Sequence, residues 1–442
     1  MPWAAPPPIE PMPPRERGTL PWVGAGLGLL RDPTAFMAAA RRRLGDTFVV
    51  DAFGFRFCCV FSPAGVRSLY ALPESQASFG LATYNLLRLK LPPELFVGRR
   101  NGPRTLFGGD DVERYLDALE AAVREEIALL GASGTYDVFA EMRRLGHRLG
   151  FASWIGAEAA SPRWLDRLVP LFDRLDSAEA FVRPAQAFVT AATRHARERR
   201  ALHAIERLVA AIRRERSPDP DRPTDFLDRI YASYADLEPA ARDVAVARDV
   251  VMLHLGSQSN LYAALAWTFV NVIQRPAVVE RVRAGDDALL EQCANESIRI
   301  AQRSITLRQV VEPITLAVEG ATHRLAPGVL LTTMLSVNNT TAAPGLDGFD
   351  PAHYEGRRLV VPLPAKELVS TFGHGSHACP AQRFAISAIR IAVRRLLERY
   401  DVEPEFTVAE PRPAQIGAVA RAARPCIVRY RARTPQPAVS RA

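Results

Sequence analysis

The sequence predicts a mainly α protein of the α+β class, a helical body with one long central helix and small segregated β-sheets. Three observations carry that expectation. Apolar residues recur at three-to-four spacing through 33–44, 109–130, 136–155, 163–177, 186–214 and 240–274, the period of an amphipathic helix. Strand-like runs gather in a few places and do not alternate with helices, so no parallel βαβ plan is expected. From Pro239, placed where a first helical turn tolerates proline, no further proline occurs until Pro276, and an unbroken helix of that length exceeds the usual globular size.

Taken in order, the chain opens with "MPWAAPPPIEPMPPRERG". Residues 1–17 read as a disordered proline-rich tail, without the basic and apolar pattern of a signal peptide, and 18–442 as one domain. "GTLPWVGAGLGLL" is too short and glycine-rich to span a bilayer. Its Gly24, Gly26 and Gly28 follow no strand, so they read as a loop and not as a nucleotide fingerprint. "DTFVVDAFGFRFCCVF" (46–61) reads as a hairpin turning near Gly54. "QVVEPITLAVEGATHRLAPGVLLTTM" (309–334) reads as several short strands, and a further strand region follows 401.

The central helix, 238–275, carries "DVVMLHL" and "LYAALAWTFVNVI", apolar on most faces and therefore expected to be buried. Between them lies "GSQSN", residues 256–260. Glycine, serine and asparagine are poor choices inside a helix. The gap marks either a packing kink or a functional site, and we expect the site. It also argues against a membrane span.

The net charge is +8, and only Lys90 and Lys366 are lysines. A positive, arginine-rich chain favours acidic partners. No basic cluster is interleaved with aromatic residues and no helix-turn-helix or finger spacing occurs, so a protein partner is expected and nucleic acid is not. The five cysteines, Cys58, Cys59, Cys293, Cys379 and Cys426, are odd in number and scattered, which points to a reducing compartment without a disulfide scaffold.

Cys379 stands apart from the others. It lies in "TFGHGSHACPAQRFA" (371–385), after glycines that permit a tight bend and just before a helix. A lone cysteine is most often a small buried hydrophobe. At a helix N-terminus, however, its thiolate gains from the dipole and the unpaired N–H groups, and becomes a nucleophile or metal ligand. A hydrolase needs a histidine–acid pair, and His377 is only two residues away. Zinc needs more ligands than His374 and His377 supply.

The same stretch resembles the haem-binding loop of the cytochrome P450 family, Phe-Gly-x-Gly-x-His-x-Cys-x-Gly-x-x-Leu/Phe-Ala. Phe372, Gly373, Gly375, His377, Cys379, Phe384 and Ala385 match, and Ala381 stands where glycine is usual. "ESIR" matches the family's Glu-x-x-Arg pair with Glu296 and Arg299, and "FDPAHY" (349–354) its Phe-x-Pro-x-Arg-Phe, with His353 in place of the arginine. The Glu–Arg lock is therefore expected to be weaker or pH-sensitive. The resemblance implies haem b as cofactor and Cys379 as the iron ligand, whose anionic sulfur favours O–O cleavage. It also implies propionate contacts from His377 and Arg308, although Arg308 reads equally as a surface charge. Residues 18–442 become a single catalytic domain of that family.

In the central helix the family's acid–alcohol pair is replaced by Ser259–Asn260, which resembles the branch of sterol 7α-hydroxylases and prostacyclin synthase. The implied oxygen-side residues are Asn260, Ser259 and Gln258. The implied substrate pocket takes His254, Leu261, Ile305 and Ile416, though His254 reads first as a hydrogen-bonded core residue and Gln258 alternatively as filling a groove against a neighbouring helix. The expected activity is monooxygenation of a mainly apolar small molecule in bacterial secondary metabolism, by a cytoplasmic monomer with no integral membrane segment. Electrons are expected from a separate ferredoxin and ferredoxin reductase, docking on the arginine-rich helix after Cys379 (Arg383, Arg390, Arg394, Arg395, Arg399). The alternative is a redox-neutral isomerase or dehydratase acting on a peroxide.

Overall fold

The computed structural model describes residues 6–18, 20–99, 109–176, 189–190, 192–216 and 224–433. Short polar side chains open many of its helices by accepting hydrogen bonds from the first N–H groups. After α1 (Gly26–Arg31), Asp32 accepts from Ala35 at the start of α2 (Pro33–Leu44), Ser62 from Gly65 at α3 (Pro63–Ala71), and Ser78 from Leu81 at α4 (Phe79–Leu87). Next come α5 (Gly109–Leu130), α6 (Val138–Trp154, capped by Asp137), α7 (Pro162–Leu175), α8 (Ala196–Glu215) and α9 (Phe226–Ser233). The central helix, α10, runs unbroken from Pro239 to Ile273. It is followed by α11 (Pro276–Arg283), α12 (Asp287–Ala301), α13 (Leu335–Thr341) and α14 (Gln382–Arg399).

The strands form small sheets set apart from the helical body. The largest has the order β2 (Arg15–Glu16), β3 (Thr47–Ala52), β4 (Phe55–Val60), β10 (Leu330–Met334), β7 (Ile305–Val310), β5 (Ala77–Ser78). A second joins β1 (Ile9–Glu10), β9 (Ala321–Leu325) and β8 (Ile314–Val318), and a third β13 (Tyr400–Pro404), β14 (Ile427–Ala432) and β6 (Ser133–Asp137). β11 (Tyr354–Glu355) and β12 (Arg358–Leu359) pair alone. In the first sheet Leu331 lies opposite Cys58 in parallel register and opposite Arg308 in antiparallel register, which fixes where Arg308 enters the interior.

The helix α10 is buried from Leu261 to Val270 without a break, as its continuous apolar run requires. It packs on α6, where Gly146 and Gly150 bring the backbones close. A Cβ at Gly150 would stand 2.8 Å from His254 Nδ1, and one at Gly146 would stand 2.9 Å from Gln258 Nε2.

The long central helix, the hairpin turning at Phe53–Gly54, the strands within 309–334 and the strand after 401 agree with expectation. Other expectations need correction. Residues 6–17 are not a disordered tail. Ile9 is buried and pairs with Leu325, Arg15 pairs with Val49, and Arg56 donates to Pro7 O at 2.8 Å. Sheet edges needing a partner override the local proline signal. The helix expected over 186–214 falls partly outside the described residues. Its described residues are helical at 189–190 and 192, turn at 193–195, where Arg194 and His195 take positive φ, and are helical again from Ala196. Residues 136 and 137 belong to β6, since they pair with Val428 and Ile427. Gly26 and Gly28 lie in α1 and not in a loop. The polar stretch 256–260 makes no break in the helix.

Candidate functional site

The loop before α14 is folded back on itself. Cys379 N–H donates to Phe372 O at 2.7 Å, and Gly373 N–H to Ser370 Oγ at 3.0 Å. Gly373 has φ 78°, and a Cβ there would meet His377 O at 2.8 Å. Only glycine serves at that position. The helix α14 begins three residues beyond Cys379, so the sulfur does not sit on a helix terminus as expected. The protein around it pushes the Cys379 thiol up, and a hydrogen bond from Ala381 N–H to the sulfur opposes this. The chain alone therefore favours the thiol, and a cation at the sulfur is what stabilises the thiolate.

Cys379 is exposed to a cavity of about 500 Å³. Phe372, Gly373, Ala381, Leu261, Ile305, Asn260, Arg308 and His377 also line it. Helical geometry decides which residues of α10 take part. Leu253, Ser257, Asn260, Leu261 and Ala264 share the face toward the cavity, whereas His254, Gln258 and Tyr262, at intervals of four, face α6.

Three expected residues are thereby moved. Gln258 fills the groove against Gly146 and Gly150 and does not line the cavity. Ser259 lies on the same side, beside His147 and Tyr262. His254 is fully buried, with Nε2 3.0 Å from His147 Nδ1 and its ring against Phe151 and Phe172. Burial, with His147 beside it, drives its pKa well down. It is the hydrogen-bonded core residue of the plainer reading. Ile416 is a fourth correction, for it packs against the core cluster that contains Phe48 and Met37, while Val419 lines the cavity. Gly375, at φ 61°, shapes the loop without reaching the cavity.

Asn260 is held in one orientation. Its Oδ1 accepts from Val419 N–H at 3.0 Å, which leaves its NH₂ as the group available to the cavity. Sequence reasoning picked Ser259 as its partner, but Ser257 shares its face.

Arg308 is 1% exposed, so the surface-charge reading fails. It donates Nε to Ala77 O at 2.7 Å, Nη1 to Leu69 O at 3.0 Å and Nη2 to Glu74 Oε1 at 3.3 Å. Burial lowers its pKa, and Glu74 works against that shift. His377 Nε2 stands 2.8 Å from the same Glu74 oxygen. Glu74 was missed in the sequence. It also accepts from Ser78 Oγ at 2.8 Å and from Phe79 N–H at 3.0 Å. Burial pushes its carboxyl up, but these donors and His377 hold it below the ordinary value. An acid just ahead of the serine that opens α4 was the available signal.

Glu296 and Arg299 are both 0% exposed and bond bidentately at 2.7 and 2.6 Å. Arg299 also donates to Asn339 O, to Leu346 O at 2.6 Å and to Gly348 O at 2.9 Å. His353 Nδ1, in the place of the arginine, reaches Glu296 Oε1 at 2.9 Å. Asn339, also missed, donates to Arg299 O and Ser370 O, and its Oδ1 accepts from Ser370 N–H at 2.8 Å. One chain of hydrogen bonds thus ties the buried ion pair to the loop that carries Cys379.

Four of the five α14 arginines are ion-paired, and the fifth, Arg399, is exposed beside the Tyr400 ring. Arg383 pairs with Glu113, Arg390 and Arg394 with Asp287, and Arg395 with Glu120 and Glu398. Among the described residues no three His, Cys, Asp or Glu side chains gather to hold a metal ion.

A family model described as Cytochrome P450 matches residues 176–428, more than half of the chain and the part that holds the central helix, the Glu296–Arg299 pair and the Cys379 loop. The chain belongs to the cytochrome P450 family. Similar proteins include cytochrome P450 135B1 of Mycobacterium tuberculosis, 25% identical over 86% of this chain and 84% of that one. Human 24-hydroxycholesterol 7-alpha-hydroxylase is 22% identical, covering 91% of this chain and 89% of its own. Abscisic acid 8'-hydroxylase 3 of Oryza sativa subsp. indica is 24% identical, covering 88% and 81%. Cytochrome P450s bind haem b through a cysteine thiolate and are oxidoreductases of monooxygenase type, and so is this chain. The donor set fits that cofactor, since the cavity joins one sulfur to the Arg308 guanidinium and the His377 imidazole within mainly apolar walls that also carry Ser257 and Asn260. No helix among the described residues of this P450 is long and apolar enough to cross a membrane.

Proposed function

We propose that residues 18–442 form a single catalytic domain in which Cys379 is the iron ligand of haem b and the cavity admits a mainly apolar small molecule for C–H oxygenation. The observation that carries this is the exposure of the Cys379 side chain to a cavity of about 500 Å³ shared with Asn260. When bound, haem supplies the redox chemistry that activates dioxygen. The chain's own residues do the rest. Ala381 N–H steadies the sulfur. Arg308 and His377 hold the propionates in competition with Glu74, and Phe372 with Ala385 closes the cavity near the loop. The NH₂ of Asn260, fixed through Val419, donates a hydrogen bond to whatever oxygen atom occupies the cavity. Leu261, Ala264 and Ile305 exclude water from the substrate.

The two electrons come from a separate ferredoxin with its reductase. Arg383 and Arg395, 51% and 41% exposed beside their acids, are the cations on α14 best able to exchange their partners for an acidic protein. The setting is bacterial secondary metabolism, with a monomer in the cytoplasm. One observation favours a second reading, a redox-neutral isomerase or dehydratase. The α10 residues that line the cavity include no ionisable side chain to relay protons. Turnover assays of the haem-loaded protein separate the two. Product formation that requires NADPH, ferredoxin and its reductase supports the monooxygenase, whereas conversion of a peroxide substrate without reductant supports the isomerase.

A further inference from the structure

Along the sequence of α8, "ARERRALHAIERLVAAIRRE", acids alternate with cations, but the fold separates them. Leu202, Ile205, Val209 and Ile212 turn into the main core, where α8 packs on α7 and α10. Two of the acids follow them inward. Glu198 is 3% exposed and holds Lys90 at 3.0 Å. Glu206 is 9% exposed, accepts from Arg248 Nε at 2.8 Å and stands 2.9 Å from His203 Nδ1. Cations from other elements thus take up the negative charge of α8.

The opposite face is a row of cations. Arg197, Arg200, His203, Arg207 and Arg214 recur at helical spacing and are all exposed. Arg197, Arg200 and Arg207 pair with no acid among the described residues. A solvated helix face is ordinarily neutralised by acids three or four residues from its cations. Here those positions hold alanine, threonine, histidine or another arginine. Arg214 approaches Asp243 at 3.7 Å, a carboxylate that Arg213 already holds at 2.9 Å. Glu215, at the end of the helix, is engaged by Arg163 at 3.0 Å. From Arg197 to Arg214 the row is about 25 Å long at 1.5 Å per residue. Between its arginines lie Ala204 and Ala211, small and half-buried.

We propose that the outward face of α8 docks an acidic protein, which lays a helix bearing aspartate or glutamate along the arginine row. Guanidinium groups take carboxylates in bidentate fashion, and Ala204 and Ala211 leave room for the partner's side chains between them. The face suits a protein better than other polyanions. No large apolar side chain of α8 is exposed, so nothing on it enters a lipid headgroup boundary. The helix has no Phe, Tyr or Trp to stack on a base. The inference does not rest on the reaction proposed above, and the row is separate from α14, where the electron donor is placed. His195 Nε2, 3.1 Å from Arg88 O, and the Lys90–Glu198 pair tie the start of α8 to the end of α4. Because Phe79 of α4 lines the cavity, a protein on the row rests beside one wall of the site.

The probe is a labelled helical peptide of about 18 residues, the length of the row, with glutamates along one face. A scrambled peptide of the same composition spreads that charge around the helix. Fluorescence anisotropy follows the binding of each to the full-length, haem-loaded protein. The expected result is saturable binding of the first peptide, weakened by salt, and binding of the scrambled one at least about tenfold looser. Arg197→Glu with Arg207→Glu should loosen the first peptide by about tenfold or more, with an unchanged absorption spectrum. Arg197→Gln with Arg207→Gln should loosen it in the same direction if the charge-reversed protein folds poorly. Arg383→Glu, on α14, should leave it unchanged. Wild-type protein that binds neither peptide, or both equally, would overturn the proposal, as would α8 variants that bind as wild type does or binding lost in Arg383→Glu. Tighter binding of duplex DNA or phosphatidylglycerol vesicles, abolished by the α8 substitutions, would also overturn it, since the row would then serve nucleic acid or lipid.

Discussion

At the scale of single residues, the site depends on which atoms remain available once neighbours have taken theirs. Asn260 gives its carbonyl oxygen to Val419 and keeps its NH₂ for the cavity. Asn260→Asp replaces that donor with an acceptor. We expect a several-fold fall in product formed per NADPH consumed, read by comparing the two rates, with substrate binding retained. Arg299 is the opposite case, a fully buried cation with five acceptors around it. Arg299→Ala leaves Glu296 charged and unpaired apart from His353 and one backbone N–H. The expected loss is about 3–5 kcal/mol in denaturant unfolding, together with loss of haem, because Asn339 and Ser370 carry the disturbance into the Cys379 loop. The buried pair Lys90–Glu198, at 3.0 Å, gives a pH signature. Burial pushes the Glu198 carboxyl up, but Lys90 and Thr190 hold it below its ordinary value. Its stabilisation is therefore present above the unfolded carboxylate pKa and is lost as the pH falls through the lower, folded one. Lys90→Met removes the counter-charge and leaves burial dominant, so the variant should instead gain stability between about pH 7 and about pH 5. Urea unfolding at the two pH values reads the sign.

At the scale of elements, the central helix shows how much of the site was legible in the sequence. Its length, its proline boundaries and its polar gap could be read directly, because periodicity and proline chemistry act locally. The face each side chain takes could not be read, since that depends on where α6 lies. Gly146 and Gly150 bring α6 close enough to draw His254 and Gln258 to its side, and the rotation sends Ser257, Asn260 and Leu261 to the cavity. Gly150→Ala places a methyl group 2.8 Å from the His254 ring. It should cost about 1–3 kcal/mol of stability and shift the substrate-induced spectral change, because α10 must move to accommodate it. The Cys379 loop was legible because glycine, cysteine and spacing are properties of the chain itself. Glu74 and Asn339 were not, since their roles arise from contacts with residues more than thirty positions away. The same limit hid the acids that neutralise the α14 arginines, which come from α5 and α12.

At the scale of the whole molecule, the sheets and the helical body meet at the cavity. The sheets bring Arg308, Ile305 and, through Glu74, the start of α4. The helices bring the Asn260 face and the buried Glu296–Arg299 pair. The N-terminal strands show why composition misled there, since proline-rich residues are ordered by the edges of β3 and β9 that they complete. All of this converges on one atom, the sulfur of Cys379, which we propose as the link between chain and haem iron. The most direct measurement is the absorption spectrum of the reduced, haem-loaded protein under carbon monoxide, in the wild type and in Cys379→Ala. Thiolate ligation requires a band strongly displaced to longer wavelength in the wild type and its loss in the variant. A wild-type spectrum without that band, or a variant that retains it, would contradict the account.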